Sequence, residues 1–196
     1  MFMNILYITL AYCIGSVSSA ILVCRLWQLP DPRTEGSNNP GATNVLRIGG
    51  KVPAIITLLG DALKGVIPVL LAVYFELPAV LISAIMLAAF LGHLFPAFFG
   101  FQGGKGVATA IGAILALSWQ VGLCVIATWL AVVAMTRISS LGAICASIAA
   151  PLIAYGFLGN LFYTAAIGIM TVLLLYRHKG NIGRLIRGQE SKVGKK

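Results

Sequence analysis

Residues 107–135 read VATAIGAILALSWQVGLCVIATWLAVVAM, and whether this stretch forms one helix or two decides the fold. A single helix of that length would run about 43 Å at 1.5 Å per residue, well beyond a hydrocarbon core of about 30 Å. Ser118-Trp119-Gln120 interrupts the apolar run near its middle, so two shorter helices divided there fit better. The composition around it belongs to a membrane protein. The chain has 196 residues, 59% of them hydrophobic and 10% charged, with a mean hydropathy of +0.97, whereas about a quarter of a soluble domain is charged.

Outward from that stretch, apolar runs at residues 4–24, 53–74, 79–99, 141–157 and 159–176 are each of a length to cross or nearly cross the core, the last two separated at Gly159-Asn160. With 107–135 split, the expectation is an all-α integral membrane protein of seven transmembrane helices, some short, with the N-terminus outside and the C-terminus cytoplasmic. Charge supports the odd number. Of the 14 Lys and Arg residues, all but Lys64 then lie on the side of the C-terminus, the side that the positive-inside rule assigns to the cytoplasm. A single span at 107–135 would put Arg137 outside and export the basic tail. Val17 to Ala20 resembles a small-residue cleavage site, but no Lys or Arg precedes the first apolar run and Arg25 follows it, which fits an uncleaved first span. The chain is read as one catalytic domain, 1–196, with cytoplasmic motif segments at 25–52, 100–106, 136–140 and 177–196.

The polar clusters carry the chemistry, and all meet the membrane at that cytoplasmic face. Residues 36–47, GSNNPGATNVLR, are too polar for a membrane helix. They are expected to fold into consecutive turns, either as plain interhelical punctuation or as an anion-binding nest of backbone N–H groups and small hydroxyls closed by Arg47. Gly103-Gly104-Lys105-Gly106 departs from a nucleotide P-loop, which would need Gly where Phe99 stands and Ser or Thr where Gly106 stands. A glycine turn feeding a helix near Val107 still suits a phosphate, with an ammonium beside the positive helix end. The third cluster, residues 177–190, reads RHKGNIGRLIRGQE, and Arg137-Ile138-Ser139-Ser140 forms a further polar turn.

Asp61 and Lys64 stand three residues apart on one face of the second span, where an unpaired charge is costly, so they are expected to pair. His93, near Pro96, reads as a hydrogen-bonded histidine at a helix end. His178, among Arg177, Lys179 and Asn181, is the better placed histidine to contact an anionic substrate. The cysteines at 13, 24, 124 and 145 are scattered in apolar segments without a CxxC pair, and neither histidine has zinc-helix spacing. No metal or cofactor is called for. The basic residues fall between apolar runs rather than along one face, which argues for topology and anionic ligands rather than nucleic acid.

Taken together, GSNNPGATN with Arg47, then Gly60-Asp61-x-x-Lys64-Gly65, then GGKGVAT, then RHKxNIxRLxxGxE resemble the bacterial membrane acyl-phosphate:glycerol-3-phosphate acyltransferases, the PlsY family. The likeness extends from about residue 15 to 190. It implies a seven-helix enzyme that acylates the 1-hydroxyl of glycerol 3-phosphate to lysophosphatidic acid, the first step of phospholipid synthesis in the bacterial inner membrane. By the same resemblance Ser37, Arg47, Lys105, Ser140, His178 and Asn181 would hold glycerol 3-phosphate, with Ser139 the alternative to Ser140. The segment around Gly41, Thr43 and Asn44 would cradle acyl phosphate, and His178, Lys105, Arg47 and Asn181 would carry the catalysis. Asn38 stands where the family usually has Gly, and Asn tolerates the left-handed turn this requires.

The chemistry is coherent on physical grounds. An acyl phosphate is already activated, so a protein need only neutralise two phosphates, aim a hydroxyl and stabilise an oxyanion. Phe98 and Gly183 occupy the positions after His93 and His178 at which an HxxxxD acyltransferase would have Asp. His178, Asp61 or the substrate phosphate are the possible proton acceptors. A transporter of phosphorylated anions would also use basic residues and glycine-rich helix ends. It would typically show an inverted repeat and more polar groups at mid-depth, which this sequence lacks.

Overall fold

The structure is a computed structural model that describes residues 2–193; the last three positions of the 177–196 motif segment lie outside the described residues. The described residues form ten α-helices and one short 3-10 turn, with no strand among them. Two compact units divide the chain at Leu117 and Ser118.

The first unit holds α1 (Phe2–Gly15), α2 (Ser19–Leu26), α3 (Ala42–Gly49), α4 (Lys51–Tyr74), α5 (Ala79–Leu94), the 3-10 turn Ala97–Phe99 and α6 (Val107–Leu117). The expected first span is broken: α1 and α2 meet at a 40° bend across residues 16–18. A break within an apolar segment strands backbone carbonyls, which hydrocarbon cannot satisfy. Here the Lys64 Nζ donates to the Val17 carbonyl at 2.9 Å. Small residues let the helices approach closely. Gly65 of α4 lies against the Thr109 carbonyl and Ala113 backbone of α6, while Gly112 of α6 lies against the Ala62 backbone of α4. Gly15 and Gly92 make the same kind of contact between α1 and α5.

The segment around residues 36–47 is not turns throughout, as the sequence reading expected. Turns run only to Gly41, and α3 follows. Its one buried apolar stripe is short: Val45 seats against Ala20 and Cys24 of α2 and Ala54 of α4, with Leu29 and Ile48 at the edge. That seat fixes a two-turn helix that its own length would not stabilise.

The second unit holds α7 (Trp119–Thr136), α8 (Ser139–Leu158), α9 (Leu161–Arg177) and α10 (Lys179–Ile186). The expected division of residues 107–135 is present and falls at Ser118, whose side chain caps α7 by accepting from the Val121 amide. The division at Gly159-Asn160 is present too. Gly159 ends α8 in a left-handed conformation and Asn160 accepts from the Phe162 and Tyr163 amides to start α9. Helix α8 packs on α7 through Gly142, against Trp129 and Val133, and on α9 through a hydrogen bond from Thr171 Oγ1 to the Ser147 carbonyl.

Four helices, α4, α5 with its 3-10 extension, α7 and α8, are long and apolar enough to cross a membrane, and the count rises to six if the bent pairs α1–α2 and α9–α10 are one span each. The remaining element of the sequence count, α6, has 11 residues, roughly 16 Å of helix and about half a hydrocarbon core.

The close α4–α6 contact carries a clear test. Gly112→Val places a branched side chain against the Ala62 backbone, which cannot yield as a flexible side chain would. Overpacking of this kind should lower stability by about 1–3 kcal/mol, read as a fall in the thermal midpoint of the detergent-purified protein. Gly156→Val, at a position facing open space, should change it far less.

Candidate functional site

In the first unit the segment that carries Ser37, Gly41, Thr43, Asn44 and Arg47 meets, at Pro40 and Gly104, the glycine loop that leads into Lys105. The first loop leaves α2 and is fastened by Asp31 and Arg33. Arg33 donates through Nε and Nη2 to the Asp31 carboxylate at 3.0 and 2.6 Å, and through Nη1 to the Phe99 carbonyl at 3.4 Å. The Arg33 guanidinium holds the Asp31 carboxyl below its usual range, chiefly by hydrogen bonding. Gly36 and Asn38 then turn left-handed, with φ of 66° and 53°. Asn38 thus adopts the left-handed turn that its side chain was expected to tolerate.

Asn44 explains how so polar a loop keeps one shape. Its side chain is buried; Nδ2 donates to the carbonyls of Pro32 and Glu35, each at 2.9 Å, and Oδ1 accepts from the Ser37 amide at 2.8 Å. The residue expected beside acyl phosphate has both side-chain donors engaged within the protein. The Asn44 amide is also engaged, donating to the Gly41 carbonyl. At the start of α3 it is Ala42 and Thr43 whose N–H groups a helix leaves without an intrahelical acceptor. Ser37, Thr43 and Arg47 are exposed, Arg47 in the last turn of α3.

The second loop meets the first at one point. A Cβ on Gly104 would strike both the His93 imidazole and the Pro40 carbonyl, so only glycine lets the two loops touch here. Lys105, half-buried, comes next, and Gly106, with φ of 86°, turns the chain into α6. Asp61, Lys64 and His93 lie buried beneath. Lys64 Nζ is 3.0 Å from Asp61 Oδ1, so the expected pair is present, and His93 Nδ1 is 3.7 Å from the same oxygen.

In the second unit Ser140, His178 and Asn181 are all buried, and a residue to which the sequence reading gave no role joins two of them. Glu190 Oε1 accepts from Ser140 Oγ at 2.8 Å and from Asn181 Nδ2 at 2.6 Å, while Oε2 accepts from Arg184 Nε at 2.6 Å. Gly188, with φ of 65°, turns the chain back after α10 so that the carboxylate returns to Asn181. The Val193 amide then donates to the Arg137 carbonyl at 2.7 Å. Of the two adjoining serines it is Ser140 that points its hydroxyl into this cluster. Burial would raise the Glu190 carboxyl, but the donors Asn181, Ser140 and Arg184 outweigh it and hold it below its usual range. The only sequence signal for Glu190 was its place at the end of RHKxNIxRLxxGxE. His178 Nδ1 lies 2.9 Å from the Leu174 carbonyl. A carbonyl only accepts, so Nδ1 carries the hydrogen of this contact.

A profile of the family described as Glycerol-3-phosphate acyltransferase matches residues 5–188. The chain belongs to that family. A glycerol-3-phosphate acyltransferase of Thioalkalivibrio sulfidiphilus is 58% identical over 95% of this chain and 92% of its own length. One of Methylococcus capsulatus is 54% identical over 97% and 96%. Among solved structures, PlsY (YgiH), an integral membrane glycerol 3-phosphate acyltransferase, superposes in its glycerol 3-phosphate form with a TM-score of 0.93, at 38% identity over 97% of this chain and 96% of that one. Its lysophosphatidic acid form gives a TM-score of 0.90 at 36% identity, over 97% and 95%. The all-helical architecture is therefore that of the acyltransferase family, and a role in phospholipid synthesis follows from it.

The Glu190 cluster predicts a pH dependence. A carboxyl whose pKa is lowered on folding stabilises the fold above its unfolded pKa, and that contribution disappears as pH falls through the folded value. Glu190→Gln should therefore lower the thermal midpoint at pH 7, and the two midpoints should converge only as pH falls through the folded value, which lies below the ordinary carboxyl range near about 4.3.

Proposed function

We propose that this chain transfers a fatty acyl group from acyl phosphate to the 1-hydroxyl of glycerol 3-phosphate, giving lysophosphatidic acid without an acyl-enzyme intermediate. The observation that carries the reading is the meeting of two glycine-rich loops at Pro40 and Gly104, in a chain of this family. One loop ends in a helix start and the other leads into Lys105, so backbone N–H groups, a guanidinium and an ammonium are available to two phosphates. The glycerol 3-phosphate and lysophosphatidic acid forms of PlsY support the acceptor and the product.

Each residue then has a task. Ser37, Arg47, Lys105, Ser140, His178 and Asn181 hold glycerol 3-phosphate, Arg47 and Lys105 neutralising its phosphate. Gly41 and Thr43 lie at the first turn of α3, whose N–H groups take the phosphate of the donor, and Asn44 keeps that turn in shape from behind. His178 Nε2 accepts a hydrogen bond from the attacking hydroxyl. The hydroxyl oxygen forms the new ester bond as the bond between carbonyl carbon and phosphate oxygen breaks. Inorganic phosphate leaves, and the proton lost by the hydroxyl is balanced on it, whether it travels through His178 or directly. No metal and no cofactor is needed for this step, because the donor already carries a good leaving group.

The setting is the bacterial inner membrane, with residues 1–196 acting as one catalytic domain and the polar segments on the cytoplasmic side. Seven crossings follow if α1–α2 and α9–α10 each count once and α6 counts as a short one, which leaves the N-terminus outside and the C-terminus in the cytoplasm.

Purified enzyme given radiolabelled glycerol 3-phosphate should form lysophosphatidic acid with acyl phosphate and none with acyl-CoA, whose thioester offers no phosphate beside the carbonyl. Efficient use of acyl-CoA, or a protein-bound acyl ester formed at a competent rate, would overturn the donor and the direct transfer. In the same assay Arg47→Ala should cost about 2–4 kcal/mol of transition-state binding, or roughly 30-fold to 1000-fold in kcat/KM. Arg47→Lys should stay impaired, since an ammonium does not replace a guanidinium fork.

A further inference from the structure

Asp61, Lys64 and His93 lie beneath the glycine loop, and the reaction as described leaves them without a task. All three are nearly inaccessible, at 3%, 5% and 6% exposure, and none of them presents a surface to a substrate. Their contacts nevertheless lead to a substrate-binding residue. The Asp61 carboxylate is anchored through Lys64, whose Nζ reaches Oδ1 at 3.0 Å and is itself held by the Val17 carbonyl. The Asp61 main chain is tied to α6, where Thr109 Oγ1 donates to its carbonyl at 2.9 Å. His93 Nδ1 faces that fixed carboxylate at 3.7 Å. The Nε2 side of the same ring occupies the place that a Cβ on Gly104 would take. The His93 carbonyl accepts from the Gly104 amide at 3.2 Å, and Gly103 packs directly on the same carbonyl. Lys105 is the next residue in the chain.

We infer that Asp61 and His93 are positioning residues: together they form a carboxylate–imidazole post that fixes the Gly103-Gly104 turn and so aims the Lys105 ammonium at phosphate. The inference rests on the assignment of Lys105 to the phosphate of glycerol 3-phosphate. Its physical basis is that a glycine turn has little stiffness of its own, whereas a ring wedged between a buried carboxylate and the turn has almost none of that freedom. An anchored ion pair in the membrane interior is also an expensive element to retain. A merely structural pair would need no imidazole wedged between it and the turn.

The test is a double-mutant cycle on the full-length enzyme in detergent, with whichever donor supports turnover. The readouts are KM for each substrate, kcat, and calorimetric affinity for glycerol 3-phosphate where turnover is too low. His93→Leu should raise KM and Kd for glycerol 3-phosphate about tenfold and leave KM for the donor within about twofold. His93→Asn, whose amide nitrogen takes the place of Nδ1 toward Asp61 but does not reach Gly104, should not recover that loss, because the post needs both ends. His93→Gln, which reaches toward Gly104 but withdraws the group from Asp61, should not recover it, and it carries the cycle if His93→Leu does not fold. Combined with Lys105→Ala, the histidine substitution should add almost nothing, because its effect passes through Lys105. An additive double mutant, or a loss confined to kcat or thermal stability, would overturn the inference and leave the phosphate assignment standing. Unchanged affinity for glycerol 3-phosphate in Lys105→Ala alone would overturn both, and that single mutant tells the two failures apart.

Discussion

Lys64 carries an ammonium into the apolar interior of the first unit, and much of that unit is arranged to receive it. The break between α1 and α2 leaves the Val17 carbonyl without a helical partner, and Lys64 supplies one. Asp61, one turn away, supplies the countercharge. Such a pair is not an efficient source of stability, since removing both charges from water costs about as much as their attraction returns. It does impose a geometry. The bend of α1–α2 through Lys64, the position of α6 through the Thr109 bond to the Asp61 main-chain carbonyl and the orientation of His93 toward the Asp61 carboxylate are all referred to one residue pair, where apolar packing alone would leave these elements free to slide.

Close helix packing makes this possible. Gly65 and Gly112 bring the backbones of α4 and α6 into contact on the same stretch that carries Asp61, Lys64 and Thr109. Larger residues would separate the helices, and a hydroxyl of fixed length would no longer reach the Asp61 carbonyl. The small residues thus serve a polar network as much as a van der Waals surface.

Much of this was legible in the sequence where a local signal and a global constraint agreed. Ser118 and Asn160 are helix-capping residues placed where the membrane thickness requires a division, and both cap a helix. The Asp61–Lys64 pair followed from spacing and depth, and the left-handed Asn38 from the tolerance of its side chain. The misses have a common cause. Helices α3 and α10 are two turns long, and their stability comes from where they are seated, as Val45 shows, rather than from periodicity. The carbonyl opened by the break at residues 16–18 is satisfied by a lysine 47 positions later in the chain, which no local window contains. Asn44 was placed beside acyl phosphate by the resemblance alone, and no local signal announced that its side chain closes the loop on itself. Glu190 was visible only as the end of a motif. Its partner Ser140 lies 50 residues away, and nothing in the spacing announces that.

The division of labour between side chains and loops follows from the chemistry. A reaction that needs a covalent nucleophile places its demands on one or two side chains, which a helix or strand can hold by packing. A transfer from a mixed anhydride asks instead for many weak donors at fixed positions around two phosphates, and most of those donors are backbone N–H groups. Backbone can be presented this way only where it is not consumed by helix hydrogen bonds, that is, in turns and at helix starts. Turns rich in glycine reach the necessary shapes but do not keep them unaided. On the proposed transfer, Asn44 against the first loop, His93 against the second and Glu190 bonded to Ser140 and Asn181 would supply the rigidity that the loops lack.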